Sequence, residues 1–138
     1  MVIATAALLG VTGCTWNTME LGPAQTPTDA PPLASDLRTG RPTLLDLGSV
    51  QCIPCKMMAP ILDDLKRTYA GKLEVVFIDV WKDRGPGQRH RIRVIPTQIL
   101  FDAAGKELYR HEGFFAKDDI LKKWKELGIT LEETSDAS

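Results

Sequence analysis

The sequence predicts an α/β domain built on a mixed sheet of four strands, or five, with helices on both faces. Three observations lead there. Apolar, β-branched runs and amphipathic segments follow one another in the order β-α-β-α-β-β-α, which buries a sheet between helices. A Cys-x-x-C, Cys52-Ile53-Pro54-Cys55, falls at the first strand–helix junction. An Ile95-Pro96-Thr97 step precedes a strand-turn-strand pattern.

In chain order, residues 2–11 (VIATAALLGV) are apolar and uncharged and lead into Val11-Thr12-Gly13-Cys14. Ten residues are too few to span a bilayer, which takes about 20, but suit the apolar core of a secretory signal. The run resembles the lipobox of bacterial lipoproteins, in which the cysteine is lipidated. Residues 1–14 are therefore expected to be a lipoprotein-type signal segment ending at Cys14. Residues 15–35 hold four of the nine prolines without periodicity and read as a tether. The folded domain is expected over 36–130 and a disordered tail over 131–138.

Within the domain, Ser35 is placed to cap a short turn ending at Gly40. Thr43–Leu47 reads as a buried strand. Pro54 to Tyr69 reads as a helix, with Met58, Ile61, Leu62 and Leu65 on one face and Pro60 expected to kink it. Leu73–Val80 is nearly continuous in apolar character, as a central strand would be. Lys82–Ile92 opens with a Gly-Pro-Gly loop and continues as a short polar helix. Thr97–Phe101 and Glu107–His111 form a hairpin around Asp102-Ala103-Ala104-Gly105. Lys117–Leu127 is the last helix, with Gly128 suited to its C-terminal cap.

Composition excludes several function classes. A net charge of −1 gives no argument for nucleic acid. Residues 38–138 carry all 17 basic and 15 of the 18 acidic groups, about +2 net, too little to name a partner. Three cysteines cannot form a disulfide scaffold, and His90 and His111 do not fall at zinc spacing, so no metal is expected.

The dithiol is different. A cysteine at a helix N-terminus meets unpaired N–H groups and partial positive charge, which stabilise a thiolate. Pro54 fits the first helical turn, where its missing N–H is not needed. Cys52 is then exposed at the helix start and Cys55 lies one turn further in, more buried.

This constellation resembles the thioredoxin family from about Arg41 to Gly128. Asp46, six residues before Cys52, matches the family's buried carboxylate. Lys56, Ala59-Pro60, the Ile92-Arg93-Val94-Ile95-Pro96-Thr97 loop and Gly113 also match in register. The resemblance implies a thioredoxin-like fold in which Cys52 attacks a substrate disulfide, Cys55 resolves the mixed disulfide, and Asp46 takes the Cys55 proton. It also implies that Pro96 is cis and that Ile95 pairs with an extended substrate. Gln51, Ile53, Pro54, Arg93 and Gly113 would complete the contact surface. Departures are Gln51 and Gly48 where tryptophans are usual, Phe77 where a lysine is frequent near the Asp, and Ile-Pro between the cysteines.

The function expected is a monomeric, exported, lipid-anchored thiol–disulfide oxidoreductase that reduces disulfide-bearing proteins. The dithiol is its redox centre, so no bound cofactor is needed. In exported relatives a membrane-embedded thiol carrier supplies electrons. Rival readings are a cytoplasmic thioredoxin, an extracytoplasmic oxidase or isomerase, and a copper-binding module suggested by Met57 and Met58 beside Cys55. The run of Arg84, Arg89, His90, Arg91 and Arg93 is read as a solvated helix face, with Arg93 next to the substrate loop.

Overall fold

The computed structural model describes residues 39–134. The signal segment, the tether, the Ser35 cap and Cys14 lie outside the described residues.

Four strands form one sheet: β1 (Thr43–Gly48), β2 (Glu74–Asp79), β3 (Thr97–Phe101) and β4 (Glu107–Glu112). Three helices accompany them: α1 (Ile53–Thr68), α2 (Arg84–Arg89) and α3 (Lys117–Glu126). Among the described residues the order across the sheet is β2-β1-β3-β4. β1 runs parallel to β2 and antiparallel to β3, and β3 and β4 form the expected antiparallel hairpin.

Side chains of β1 alternate between two cores, as the pleat requires. Leu44 joins Leu100, Val75 and the apolar faces of α1 and α3, including Met58, Leu62, Leu65, Ile120 and Trp124. Leu45 and Leu47 join Ile99, Phe101 and Val80 on the opposite face, with Ile92 packed against them. That second face is closed by the α2 region: a Cβ on Gly87 would lie 3.5 Å from both Ile92 and Val80. The helices thus lie on both faces.

Three expectations change. β2 is an edge strand among the described residues, not a central one; its apolar residues divide between the two faces, Val75 in the α1 core and Val76 and Ile78 against the other, while Phe77 stays 41% exposed. The Gly-Pro-Gly run is not a loop before α2 but lies inside it. Asp83 caps the helix by accepting from the Gly85 N–H at 2.9 Å, and Pro86 falls in the first turn, where no N–H is needed. α1 runs from Ile53 to Thr68 with Pro60 inside it, in line with the one helix read from the sequence. The tail is anchored as far as Thr134: Leu131 packs against the main core, and the Thr134 N–H and hydroxyl both donate to Thr68 O, at 3.0 and 2.8 Å. The Thr68 carbonyl at the end of α1 thereby gains its partners.

A surface ion pair, Lys117 Nζ to Asp64, ties α3 to α1. Both side chains are about a third exposed, and pairs of that kind contribute about 0.2–1 kcal/mol. A Lys117→Met protein is expected to lose no more than about 1 kcal/mol in urea unfolding; a larger loss would mean that the pair anchors α3.

Candidate active site

The site forms where β1 ends and α1 begins. Cys52 is the N-cap residue of α1 and Pro54 lies in the first turn, so Cys55 enters the helix one turn below the surface. Cys52 is half-buried and Cys55 is 3% exposed. The backbone fixes this entry. The Cys52 N–H donates to Ser49 O at 3.2 Å, and the Lys56 N–H donates to Cys52 O at 3.0 Å. No acidic side chain stands in the first turn of α1 to oppose a thiolate there.

Asp79, which sequence reasoning did not single out, secures the loop before Cys52. Its carboxylate accepts from the N–H groups of Val50, Trp81 and Lys82 at 3.2, 3.0 and 3.3 Å. Desolvation raises its pKa, but these three donors outweigh it and hold the carboxyl below the ordinary carboxylate range.

Beneath the dithiol, Asp46 is wholly buried. Removal from water pushes its pKa from 3.8 up to about 6, opposed by a hydrogen bond from Gln98. Gln98 Nε2 donates to Asp46 Oδ1 at 2.7 Å, while Asp46 Oδ2 and Gln98 Oε1 have no partner among the described residues. Burial likewise pushes the Cys55 thiol up to about 12, helped by the side-chain hydrogen bond with Cys52 and by the negative charge of Asp46; the Ser49 backbone opposes the rise. Cys55 is therefore a thiol at neutral pH and needs a proton acceptor before it can attack.

The departures from the family pattern compensate one another. Phe77 pairs in register with Asp46, so an uncharged ring stands where the lysine is frequent. Gly48 leaves room for that ring: a Cβ there would lie 3.1 Å from Cys55 Sγ and 3.3 Å from Phe77 Cε2. A Gly48→Ala protein must push the start of α1 or Phe77 outward. It is expected to lose about 1–3 kcal/mol in denaturant unfolding; an unchanged midpoint would mean that the junction is loosely packed.

The loop on the other side of the site is held by two bonds. The Gly113 N–H donates to Pro96 O and the Thr97 hydroxyl to Val94 O, each at 2.8 Å. The Ile95–Pro96 bond is cis. Because Leu47 pairs with Thr97, this loop flanks the end of β1 that leads to Cys52. Ile95 takes no backbone hydrogen bond among the described residues. Gln51, Ile53, Pro54 and Arg93 are exposed, and Arg93 reaches Glu112 only at 3.7 Å. Gly113 adopts a φ of +99°, open to glycine without strain. Trp81 and Val94 line a shallow groove with Ile92, Arg93 and Ile95, an extension of the rim that local sequence pattern did not reveal.

Met58 is in the core, and its Sδ receives the Phe115 N–H at 3.3 Å; Met57 is exposed. One thioether is thus held in the core and the other is exposed.

A surface thiol at a helix start, a buried partner thiol and a buried carboxyl below them define a site for dithiol–disulfide exchange on an α/β scaffold. The chain belongs to the thioredoxin family, whose model, described as Thioredoxin, matches residues 33–126. Similar proteins include a thioredoxin of Pseudomonas aeruginosa, 38% identical over 65 residues, which are 47% of this chain and 60% of that protein. Thioredoxin Y, chloroplastic, of Oryza sativa subsp. japonica is 31% identical over 86 residues, 62% of this chain and 51% of that protein. A thioredoxin of Acidithiobacillus ferridurans is 37% identical over 71 residues, 51% of this chain and 66% of that protein. The chain thus spans between about half and two thirds of the length of these relatives.

Proposed function

We propose that the protein is a thiol–disulfide oxidoreductase that reduces disulfides of proteins outside the cytoplasm. The observation that carries this reading is an accessible Cys52 at the α1 N-cap paired with a buried Cys55 above a buried Asp46. The Cys52 thiolate attacks one sulfur of a substrate disulfide, expelling the other as a thiolate that takes a proton from solvent. Asp46 accepts the proton of Cys55. The Cys55 thiolate then attacks Cys52 Sγ, the second substrate thiol departs, and two electrons have moved from the dithiol to the substrate. A thiol carrier in the membrane returns them.

Protein substrates suit the rim, which exposes Val50, Ile53, Met57, Trp81 and Val94 around the site. An extended substrate strand pairs with the free backbone of Ile95. The reducing direction is favoured because Ile53-Pro54 places no hydrogen-bonding side chain between the cysteines. Export and anchoring rest on residues 2–14 and on the proline-rich stretch after them; among the described residues no helix is long and apolar enough to cross a membrane.

The first test is the reduction potential of the Cys52–Cys55 pair, by equilibration in thiol buffers and alkylation. A value near about −270 mV is expected. A value more oxidising than about −200 mV would replace this reading with an oxidase or isomerase. Anchoring is tested by fractionation: the full-length protein is expected in the membrane pellet and its Cys14→Ala form in the soluble fraction. Both forms soluble would return the cytoplasmic alternative.

A further inference from the structure

We propose that Gln98 is the positioning residue for Asp46: its amide holds Oδ1 and leaves Oδ2 to receive the Cys55 proton near neutral pH. This rests on the proposed role of Asp46 as the proton acceptor.

Gln98 and Asp46 are 52 positions apart in the chain but directly paired between β1 and β3, on the sheet face covered by α1. Both are wholly buried. The fold alone gives no reason for an amide here. Every residue of β3 is buried, and Gln98 Oε1 has no partner among the described residues, a destabilising arrangement that an apolar side chain would avoid. What the amide does is donate at 2.7 Å to the one carboxylate under the dithiol.

The other surroundings of Asp46 leave that task to Gln98. From α1 the titratable neighbour is Cys55, whose thiol is itself raised by the charge of Asp46. From β2 the facing residue is Phe77, which carries no charge. From β4, His111 stands beyond Gln98 in register, but its ring is stacked on Phe115 at 4.1 Å and its Nε2 lies 3.1 Å from Phe114 O.

Two opposed effects then set when Asp46 can take a proton. Burial favours the neutral acid, and a donated hydrogen bond favours the carboxylate. With the amide in place, the carboxyl ionises at about 6. Without it, Asp46 would remain protonated to higher pH and could not accept from Cys55 at neutrality. In the step itself the proton moves from Cys55 Sγ to Asp46 Oδ2. The new thiolate forms a bond to Cys52 Sγ, and the bond from Cys52 to the substrate sulfur breaks with its electron pair on the substrate.

The test is stopped-flow reaction of the reduced full-length protein with an aromatic disulfide, in which release of the second aromatic thiolate reads resolution. The rate is expected to rise with pH through a limb near 6, and Asp46→Asn to remove that limb. Gln98→Met, similar in size but without a donor, is expected to move the limb up by about one pH unit, roughly a tenfold lower rate on its acid side. In the Asp46→Asn background the same change should have no effect on the profile. A limb that Asp46→Asn removes but Gln98→Met leaves in place overturns the role of Gln98 and spares Asp46. A limb that survives Asp46→Asn overturns both. A Gln98→Leu protein, read by NMR titration of the Asp46 carboxyl, decides independently of turnover: an upward shift supports the proposal and an unmoved titration ends it.

Discussion

A Cys55→Ser protein is expected to stop at a mixed disulfide between Cys52 and its substrate, with turnover reduced on the order of 10³-fold or more. The asymmetry of the pair dictates this. Cys52 is accessible at the N-cap of α1, whereas Cys55 is 3% exposed and its thiol is pushed up to about 12. Substrate therefore meets Cys52 first, and only an internal attack by Cys55 releases it. With serine at 55 the covalent adduct persists and is visible by non-reducing electrophoresis and intact mass. Cys52→Ser should give no adduct at all. Sustained turnover in Cys55→Ser, or an adduct on Cys55 in the Cys52→Ser protein, would assign the nucleophile wrongly.

Replacing Asp46 by asparagine is expected to stabilise the fold at pH 7 while slowing resolution. The folded protein binds the Asp46 proton up to a pH of about 6, whereas the unfolded chain releases it near 3.8. Between those values the folded state holds more protons than the unfolded state, so stability falls as pH rises through that window and stays lower above it. A rise from 3.8 to about 6 corresponds to about 3 kcal/mol. The asparagine amide keeps an oxygen to accept from Gln98 Nε2 and never ionises. Urea unfolding should find the variant about 3 kcal/mol more stable at pH 7, with the gap closing below pH 4, where the carboxyl is protonated in both folded and unfolded states. A gap that does not change with pH would mean that burial of the charge is not its cause. This loss of stability is the counterpart of a carboxyl that changes protonation near neutrality.

Much of this arrangement is visible in the chain before it folds. Local rules act within a few residues, so they mark what local geometry decides. Thr97–Phe101 is a strand because Thr97, Ile99 and Phe101 are β-branched or aromatic and the run is bounded by Pro96 and the Asp102–Gly105 turn. Cys52 and Cys55 take different exposures because a helix begins between them. Pro54 and Gly128 act on their nearest turns.

Contacts across the sheet have no such local signal. Leu73–Val80 reads as a central strand from its apolar run, yet edge or centre depends on which neighbours pair with it. The Gly-Pro-Gly stretch reads as a loop, yet the Asp83 cap and packing against Ile92 and Val80 bring it into a helical turn. Thr134 is polar and near the end, yet it finds the open carbonyl of Thr68.

The order of elements, the dithiol at the first strand–helix junction and the carboxyl six residues before it are all written in the linear chain. What surrounds that carboxyl is a product of folding. Register brought Phe77 to one side of Asp46 and Gln98 to the other, from positions 31 and 52 residues away. The pleat then turned Asp46 and Gly48 toward α1 together. Burial and one donated hydrogen bond, neither of them a property of any single segment, set the proton chemistry of the site.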